Sequence, residues 1–246
     1  MVSKEIFKGI EIKGKALWLA REKILAIADL HIGYEQALNE QSILAPRTMF
    51  KEIEKEIKGL LKLKPKIIVI NGDLKHEFGR ISRQEWKDVS NILDFLKKHA
   101  EKIILIKGNH DTILESITNK NQVSSVPIIL KDFYIKDNIC FMHGHKMLTE
   151  CLDKKIKTIV LGHRHPALVL RDKAKRESYK CFLVGRWKNK NIIIMPSFFP
   201  LVEGSDISAD FENKLAFNFN LKEFKVYAIA DKVYDFGKLK NVRRLA

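Results

Sequence analysis

Cysteine is scarce: three residues, Cys140, Cys151 and Cys181, in a chain of 246. None forms a C-x-x-C pair and the number is odd, which argues against a disulfide framework and for a reducing, cytoplasmic setting. Cys140 lies in an apolar run and reads as a plain buried thiol. Also missing is any apolar run near the roughly 20 residues that a membrane-spanning helix needs. The start, Met1-Val2-Ser3-Lys4-Glu5, is no signal peptide, so a soluble protein with no membrane partner is expected. Acidic residues are in deficit, 30 against 45 basic ones, which leaves a net charge of +15. Such a balance favours polyanionic partners, nucleic acid first among them. The cations are spread along the chain, which speaks against one dedicated basic arm. With no internal repeat, low-complexity linker or break in composition, residues 1–246 read as one domain.

Apolar periodicity sets out the elements. The segment up to Ala28 alternates short apolar and charged stretches and predicts two or three strands. Asp29 to Tyr34 leaves the sheet as a loop. Pro46 then opens a helix with Phe50, Ile53, Ile57, Leu60 and Leu61 on one face, which Pro65 stops. Ile67 to Ile70 is a continuous apolar strand of the kind buried on both faces. Trp86, Val89, Ile92, Leu93 and Leu96 mark a second amphipathic helix, and the strand Ile103 to Ile106 follows. This β-α-β-α order implies parallel strands. Beyond His110 the chain turns to short strands, at Val126 to Leu130, Phe133 to Ile135, Ile139 to Met142, Ile159 to Leu161, Ala167 to Leu170, Cys181 to Val184, Ile192 to Met195, Val226 to Ala230 and Lys232 to Asp235. One brief helix near Leu148 to Lys154 interrupts them. The expected class is α/β, with two sheets packed face to face and helices outside. Three basic stretches, Arg171 to Arg176, Arg186 to Lys190 and Lys238 to Arg244, are either solvated loops or contacts for a phosphate backbone.

The histidines are not scattered. Seven of the eight lie in, or for His76 just past, five motifs that each follow a short apolar run. These are Asp29-Leu30-His31, Gly72-Asp73, Gly108-Asn109-His110-Asp111, His143-Gly144-His145 and Gly162-His163-Arg164-His165. Ligands of open α/β sheets bind at the carboxyl ends of strands, so the five motifs converge on one site. Aspartate, asparagine and neutral imidazole, without thiolate, suit Mn²⁺, Fe²⁺ or Zn²⁺. Asp29 and His31, and likewise His163 and His165, are two apart and can turn to one ion if the residue between them points away. The Asp73 carboxylate is able to bridge two ions, and a pair of ions clamps a phosphoryl group and activates water.

In order and spacing these blocks resemble the five signatures of the calcineurin-like metallophosphoesterases. The flanks Ile32-Gly33-Tyr34-Glu35, Leu74-Lys75-His76 and Met195-Pro196-Ser197-Phe198-Phe199, with Gly204 following, are similar to the SbcD-related archaeal branch, whose bacterial relatives include the ligase-associated PdeM phosphoesterases. The resemblance implies a four-layer α/β/β/α sandwich of two mixed sheets. It implies two divalent metal ions, Mn²⁺ first, with Fe²⁺, Zn²⁺ or Ni²⁺ as alternatives. Asp29, His31 and His165 would hold one ion, Asn109, His143 and His163 the other, and Asp73 would bridge. Either histidine of His143-Gly144-His145 has the chemistry to bind; the family pattern assigns His143 and leaves His145 to substrate. His110 would stabilise developing charge or protonate the leaving oxygen, and Asp111 would orient it through a hydrogen bond. His76 and Arg164 are candidates for substrate contact, with a local role and a solvent-facing position as their respective alternatives. The implied reaction is in-line attack of a bridging hydroxide on a phosphoester, without a covalent enzyme intermediate.

Three functions fit these signals. The first is a phosphodiesterase or nuclease acting on nucleic acid, a DNA-repair setting in which a helicase, ATPase or ligase partner is conceivable. SbcD nucleases carry a capping domain after their last histidine motif. About 80 residues follow His165 here, and the match at Met195 to Phe199 uses part of them, so no separate cap is expected. The second is a phosphodiesterase or phosphatase for small nucleotides, and the third a scaffold that kept the fold without catalysis.

Overall fold

The computed structural model describes residues 2–46, 48–78, 81–116, 126–172, 175–207 and 216–242. Two sheets face one another. The first runs in spatial order β1 (Ser3–Phe7), β2 (Ile10–Lys13), β3 (Ala16–Leu19), β4 (Ile24–Ile27), β5 (Ile67–Asn71), β6 (Lys102–Ile106) and β7 (Ile128–Lys131). β1 to β4 form an antiparallel meander, and β4 to β7 are parallel. The segment before Ala28 thus holds four strands, because β1 lies at a sheet edge with a largely exposed pattern that blurs its alternation.

The second sheet contains β8 (Phe133–Lys136), β9 (Ile139–Met142), β10 (Thr158–Leu161), β11 (Pro166–Asp172), β12 (Lys175–Trp187), β13 (Lys190–Ile194), β14 (Ser205–Asp206), β15 (Lys225–Ile229) and β16 (Val233–Lys238). β9, β10 and β13 are parallel neighbours. The long β12 pairs with β11 through its first half and with β13 and β15 through its second.

Strand alternation builds three cores. In β5, Val69 faces the other sheet, and with Ile104 of the neighbouring β6 it joins Phe141, Val160, Phe182 and Ile193 from across the interface. Ile68 and Ile70 face the opposite way, onto two helices, α2 (Met49–Leu61) and α3 (Arg83–Lys97). A run with both faces buried has no polar alternation to show, which is why Ile67 to Ile70 is uniformly apolar. A short helix, α1 (Tyr34–Glu40), follows the first motif and was not expected; at seven residues it is too short for periodicity to declare itself. The outer face of the second sheet carries no long helix among the described residues. Single turns at Thr149–Leu152 and Leu221–Glu223 and α4 (Leu239–Val242) cover it, with Phe217, Phe219 and Phe224 filling the layer.

Cys140 is no plain thiol: it is disulfide-bonded to Cys151. The turn after β9 folds Thr149–Leu152 back on the strand and brings the two Cα atoms to 5.8 Å, within disulfide reach. A separation of eleven residues and an odd cysteine count gave no sign of it. Cys181 is the buried free thiol. No helix of the described residues is long and apolar enough to cross a membrane.

The basic stretches differ in availability. Arg171 pairs with Asp206 at 3.2 Å and Arg176 with Glu203 at 2.9 Å, while positions 173–174 between them lie outside the described residues. Lys238 and Lys240 both pair with Glu223; positions 243–246 are likewise outside. The third stretch is a two-residue hairpin at Lys188 and Asn189, both with positive φ, as a primed turn demands. Its Lys190 points inwards and donates to the carbonyls of Asp153 and Ile156.

Candidate metal centre

All five motifs stand at the carboxyl ends of parallel strands: β4, β5 and β6 in one sheet, β9 and β10 in the other. Hydrogen bonds stitch the ends together. Asp29 donates its amide to Gly72 O and His31 its amide to Asp73 O, both at 3.0 Å. Between the sheets, His163 donates its amide to both Asp29 carboxylate oxygens at 3.1 and 3.2 Å. The Met195 to Phe199 segment is part of this frame, with Phe198 donating to Ala28 O and Phe199 to Asp29 O. Lys15 and Lys180 bind carbonyls of the same segment from behind.

The two glycines at the centre are there for space. A Cβ on Gly72 would lie 2.0 Å from His143 Nδ1, and one on Gly108 would lie 2.0 Å from Asp73 Oδ1. Five proposed ligands, Asp29, His31, Asp73, His163 and His165, have φ between 45° and 66°. Side chains seldom adopt this left-handed region, and strain of this kind collects where function over-determines the backbone.

Potential ligand atoms gather in two sets that share Asp73. Asp29, His31, Asp73 and His165 form one, and Asp73, His143 and His163 the other, each with its atoms within 4.8 Å of one another. Asn109 joins the second set, its Oδ1 lying 3.2 Å from His143 Nε2. His145 belongs to neither and stacks at their edge, 5.3 Å from the His143 ring. A third grouping, His31, His76 and His110, lies on the other flank, where Tyr34 packs edge-on against His76.

The electrostatics suit cations. Asp29 and Asp73 are buried; burial alone would raise their carboxyls, but the neighbouring histidines, His165 for Asp29 and His143 for Asp73, prevail and hold both below the usual range. Burial lowers His31 to about 3 and His163 to about 4, so both imidazoles are neutral and offer lone pairs. His31 Nδ1 is buried with no hydrogen-bond partner among the described residues. Two buried carboxylates, neutral imidazoles and no thiolate make a donor set that fits a pair of divalent ions.

His110 is held differently from expectation. Its Nδ1 meets the carbonyl of His76, its amide donates to Asp73 Oδ1 at 3.0 Å, and its ring lies 3.7 Å from that of Phe78. Asp111 does not orient it. The Asp111 carboxylate accepts the amides of Gly108 at 2.9 Å and Lys75 at 3.4 Å, because the tight turn folds it back under the strand end. Burial and the Asp73 charge raise its carboxyl to about 7. Arg164 is buried and so does not face solvent. Residues outside the five motifs that help build the site include Asn71 and Glu85, together with Lys75, which was read only as a flank of the resemblance. Asn71 O accepts from His143 Nδ1 at 3.1 Å, while its amide nitrogen donates to Val160 O across the sheets. A polar residue ending an otherwise apolar strand was the one available signal for it.

A family model described as calcineurin-like phosphoesterase matches residues 22–230. No curated protein matches the chain by sequence. Among solved structures, nuclease MPE of Pseudomonas putida aligns with a TM-score of 0.63 at 19% identity, covering 90% of this chain and 92% of that one. An archaeal phosphodiesterase aligns at 0.41 and 15% identity, over 71% of this chain and 83% of its own. Yfce, a phosphoesterase from E. coli, aligns at 0.39 and 16%, over 71% and 79%.

Proposed function

The chain belongs to the calcineurin-like phosphoesterases, and from that premise we propose that it is a metal-dependent phosphodiesterase of the nuclease type, acting on nucleic acid. The observation that carries the chemistry is the pair of ligand sets sharing Asp73. Two divalent ions bound there, Mn²⁺ by preference, supply Lewis acidity and lower the pKa of water. Asp29, His31 and His165 would hold one, His143, His163 and Asn109 the other, with Asp73 common to both sets. His110, at the edge of the sets with Nδ1 engaged by a carbonyl, presents Nε2 to the reacting phosphoester and assists departure of the leaving oxygen. His76 and His145 flank the substrate on either side.

Nucleic acid as substrate is supported by charge that the fold leaves unmatched. Lys154, Lys155, Lys157, Arg186 and Lys188 are exposed and make no ion pair among the described residues. With Trp187 the first, third and last of these line a groove of about 460 Å³. It lies beside the starts of β10 and β13, and of these two strands β10 carries ligands, His163 and His165, just past its other end. The fold shared with a Pseudomonas putida nuclease agrees with this reading.

The test is Mn²⁺-dependent cleavage of labelled single- and double-stranded DNA by the parent protein, with Asp73→Asn as contamination control. Cleavage by the parent alone is expected. It should weaken as salt rises, and a Lys157→Glu/Lys188→Glu variant should need lower salt for the same rate. Intact DNA alongside hydrolysis of bis(p-nitrophenyl) phosphate would overturn the nucleic-acid reading and keep the phosphodiesterase.

A further inference from the structure

Glu85 stands outside both ligand sets, yet its carboxylate is buried, at 1% exposure. It lies in the first turn of α3, where Ser82 Oγ accepts its amide at 3.0 Å. In a capping box the glutamate side chain reaches back to the amide of the capping serine. Here the carboxylate, with the Ser82 backbone among its contacts, also turns inwards. Glu85 Oε1 accepts the amide of His76 at 2.9 Å and that of Glu77 at 3.1 Å. The His76 amide is shared with Ile32 O, whereas Glu85 is the acceptor given to Glu77. Gly33 opens the way: a Cβ there would lie 2.7 Å from Glu85 Cγ and 2.9 Å from Oε1.

The segment that Glu85 grips touches His110 twice, through the His76 carbonyl and through the Phe78 ring. Lys75, fully buried, adds a strut by donating its Nζ to the carbonyl of Glu77. A ring nitrogen that faces a carbonyl carries the proton, so His110 Nδ1 is the N–H and Nε2 is the nitrogen left to act. Nε2 lies on the side of Asp73, 3.9 Å from Oδ2. Whatever moves the His76 carbonyl therefore turns the acting nitrogen. A carboxylate outside the two sets that share Asp73 thereby reaches the reacting side through two amides and one carbonyl.

We propose that Glu85 is a positioning residue for His110: by fixing the amides of His76 and Glu77, it sets the carbonyl that orients the imidazole. This rests on the reading of His110 given above. The link depends on the reach of the side chain and on an acceptor oxygen, not on charge, which makes it separable by substitution. Glu85→Gln keeps reach and acceptor without the charge. Glu85→Asp keeps the charge and loses the reach, and Glu85→Ala loses both.

The experiment is steady-state hydrolysis of bis(p-nitrophenyl) phosphate by the Mn²⁺-loaded protein, with metal content measured for each variant. Glu85→Ala and Glu85→Asp should lower kcat about ten- to a hundredfold while KM and metal content stay near the parent values, as a small misplacement of an acting group would do. Glu85→Gln should recover most of the loss. Added to His110→Ala, Glu85→Ala should cost little more, because both changes remove one function. Should Glu85→Ala fail to fold, the contrast between Gln and Asp decides. Parent-like kcat in Glu85→Asp, equal losses in Gln and Asp, or losses that multiply with those of His110→Ala would overturn the link to Glu85 while leaving His110 in its role. Parent-like turnover in His110→Ala would instead overturn the reading of His110, and the inference with it.

Discussion

His143 is clamped between Asp73 and Asn71: its Nε2 lies 3.2 Å from Asp73 Oδ2, with Asn109 Oδ1 at the same distance, and its Nδ1 lies 3.1 Å from Asn71 O. Burial would lower its pKa, but the Asp73 hydrogen bond and the charges of Asp29 and Asp73 prevail and raise it to about 9. The metal-free protein therefore holds His143 as an imidazolium at neutral pH, with a proton on the nitrogen that faces Asp73.

A metal ion needs that nitrogen without its proton, so binding and proton release are linked. Uptake of Mn²⁺ at pH 7 should expel about one proton from this site. Calorimetry in buffers of different ionisation heat measures the number, and a binding heat that ignores the buffer would contradict it. The sign for stability runs the other way in the metal-free protein. A pKa raised from 6.5 to about 9 gives stability that is complete below pH 6.5 and lost as pH rises through 9. Unfolding of the metal-free protein should therefore become easier over that window, while metal affinity improves.

Asp73 and His110 are separable by what each variant keeps. Asp73 belongs to both ligand sets, so Asp73→Asn should lose most bound metal, as read by elemental analysis. His110→Ala should retain both ions and lose turnover by about 10²- to 10⁴-fold, the usual range for a proton-transfer group. Metal loss in His110→Ala, or full metal content in Asp73→Asn, would reverse the assignment.

Gly108 is a spacer, and filling it should damage the site from within. In Gly108→Ala the new methyl would meet Asp73 Oδ1 at 2.0 Å and the Asp73 amide nitrogen at 2.4 Å, so strand ends must part. A loss of about 1–3 kcal/mol is expected, the ordinary cost of overpacking. Denaturant titrations with and without Mn²⁺ should show both the loss and a smaller gain from metal than in the parent. Parent-like stability would mean that the two strand ends are free to shift.

Much of this was legible in the residues because the information is local. The apolar runs of β5, β6, β9 and β10 lie within one or two residues of their predicted places, since a strand buried on both faces must be uniformly apolar. Histidine and aspartate at the ends of those runs could be found by position alone. The helix α1, the edge strand β1 and the thin cover of the second sheet were not legible, for each is too short or too exposed to impose a period.

What the sequence determined by itself was the family, the α/β order and the kinds of side chain gathered at the strand ends, because motif spacing and apolar runs are written along the chain. Tertiary structure alone decided which groups face each other. Asp111 serves backbone amides rather than His110, Cys140 finds Cys151, and Lys190 turns inwards to cap carbonyls. Glu85 reaches past Gly33 to a segment eight and nine residues before it. The reason is physical. Residue type and spacing set which bonds a side chain can make, but its direction is settled by the packing of two sheets on one another, and that packing sums contacts from distant parts of the chain.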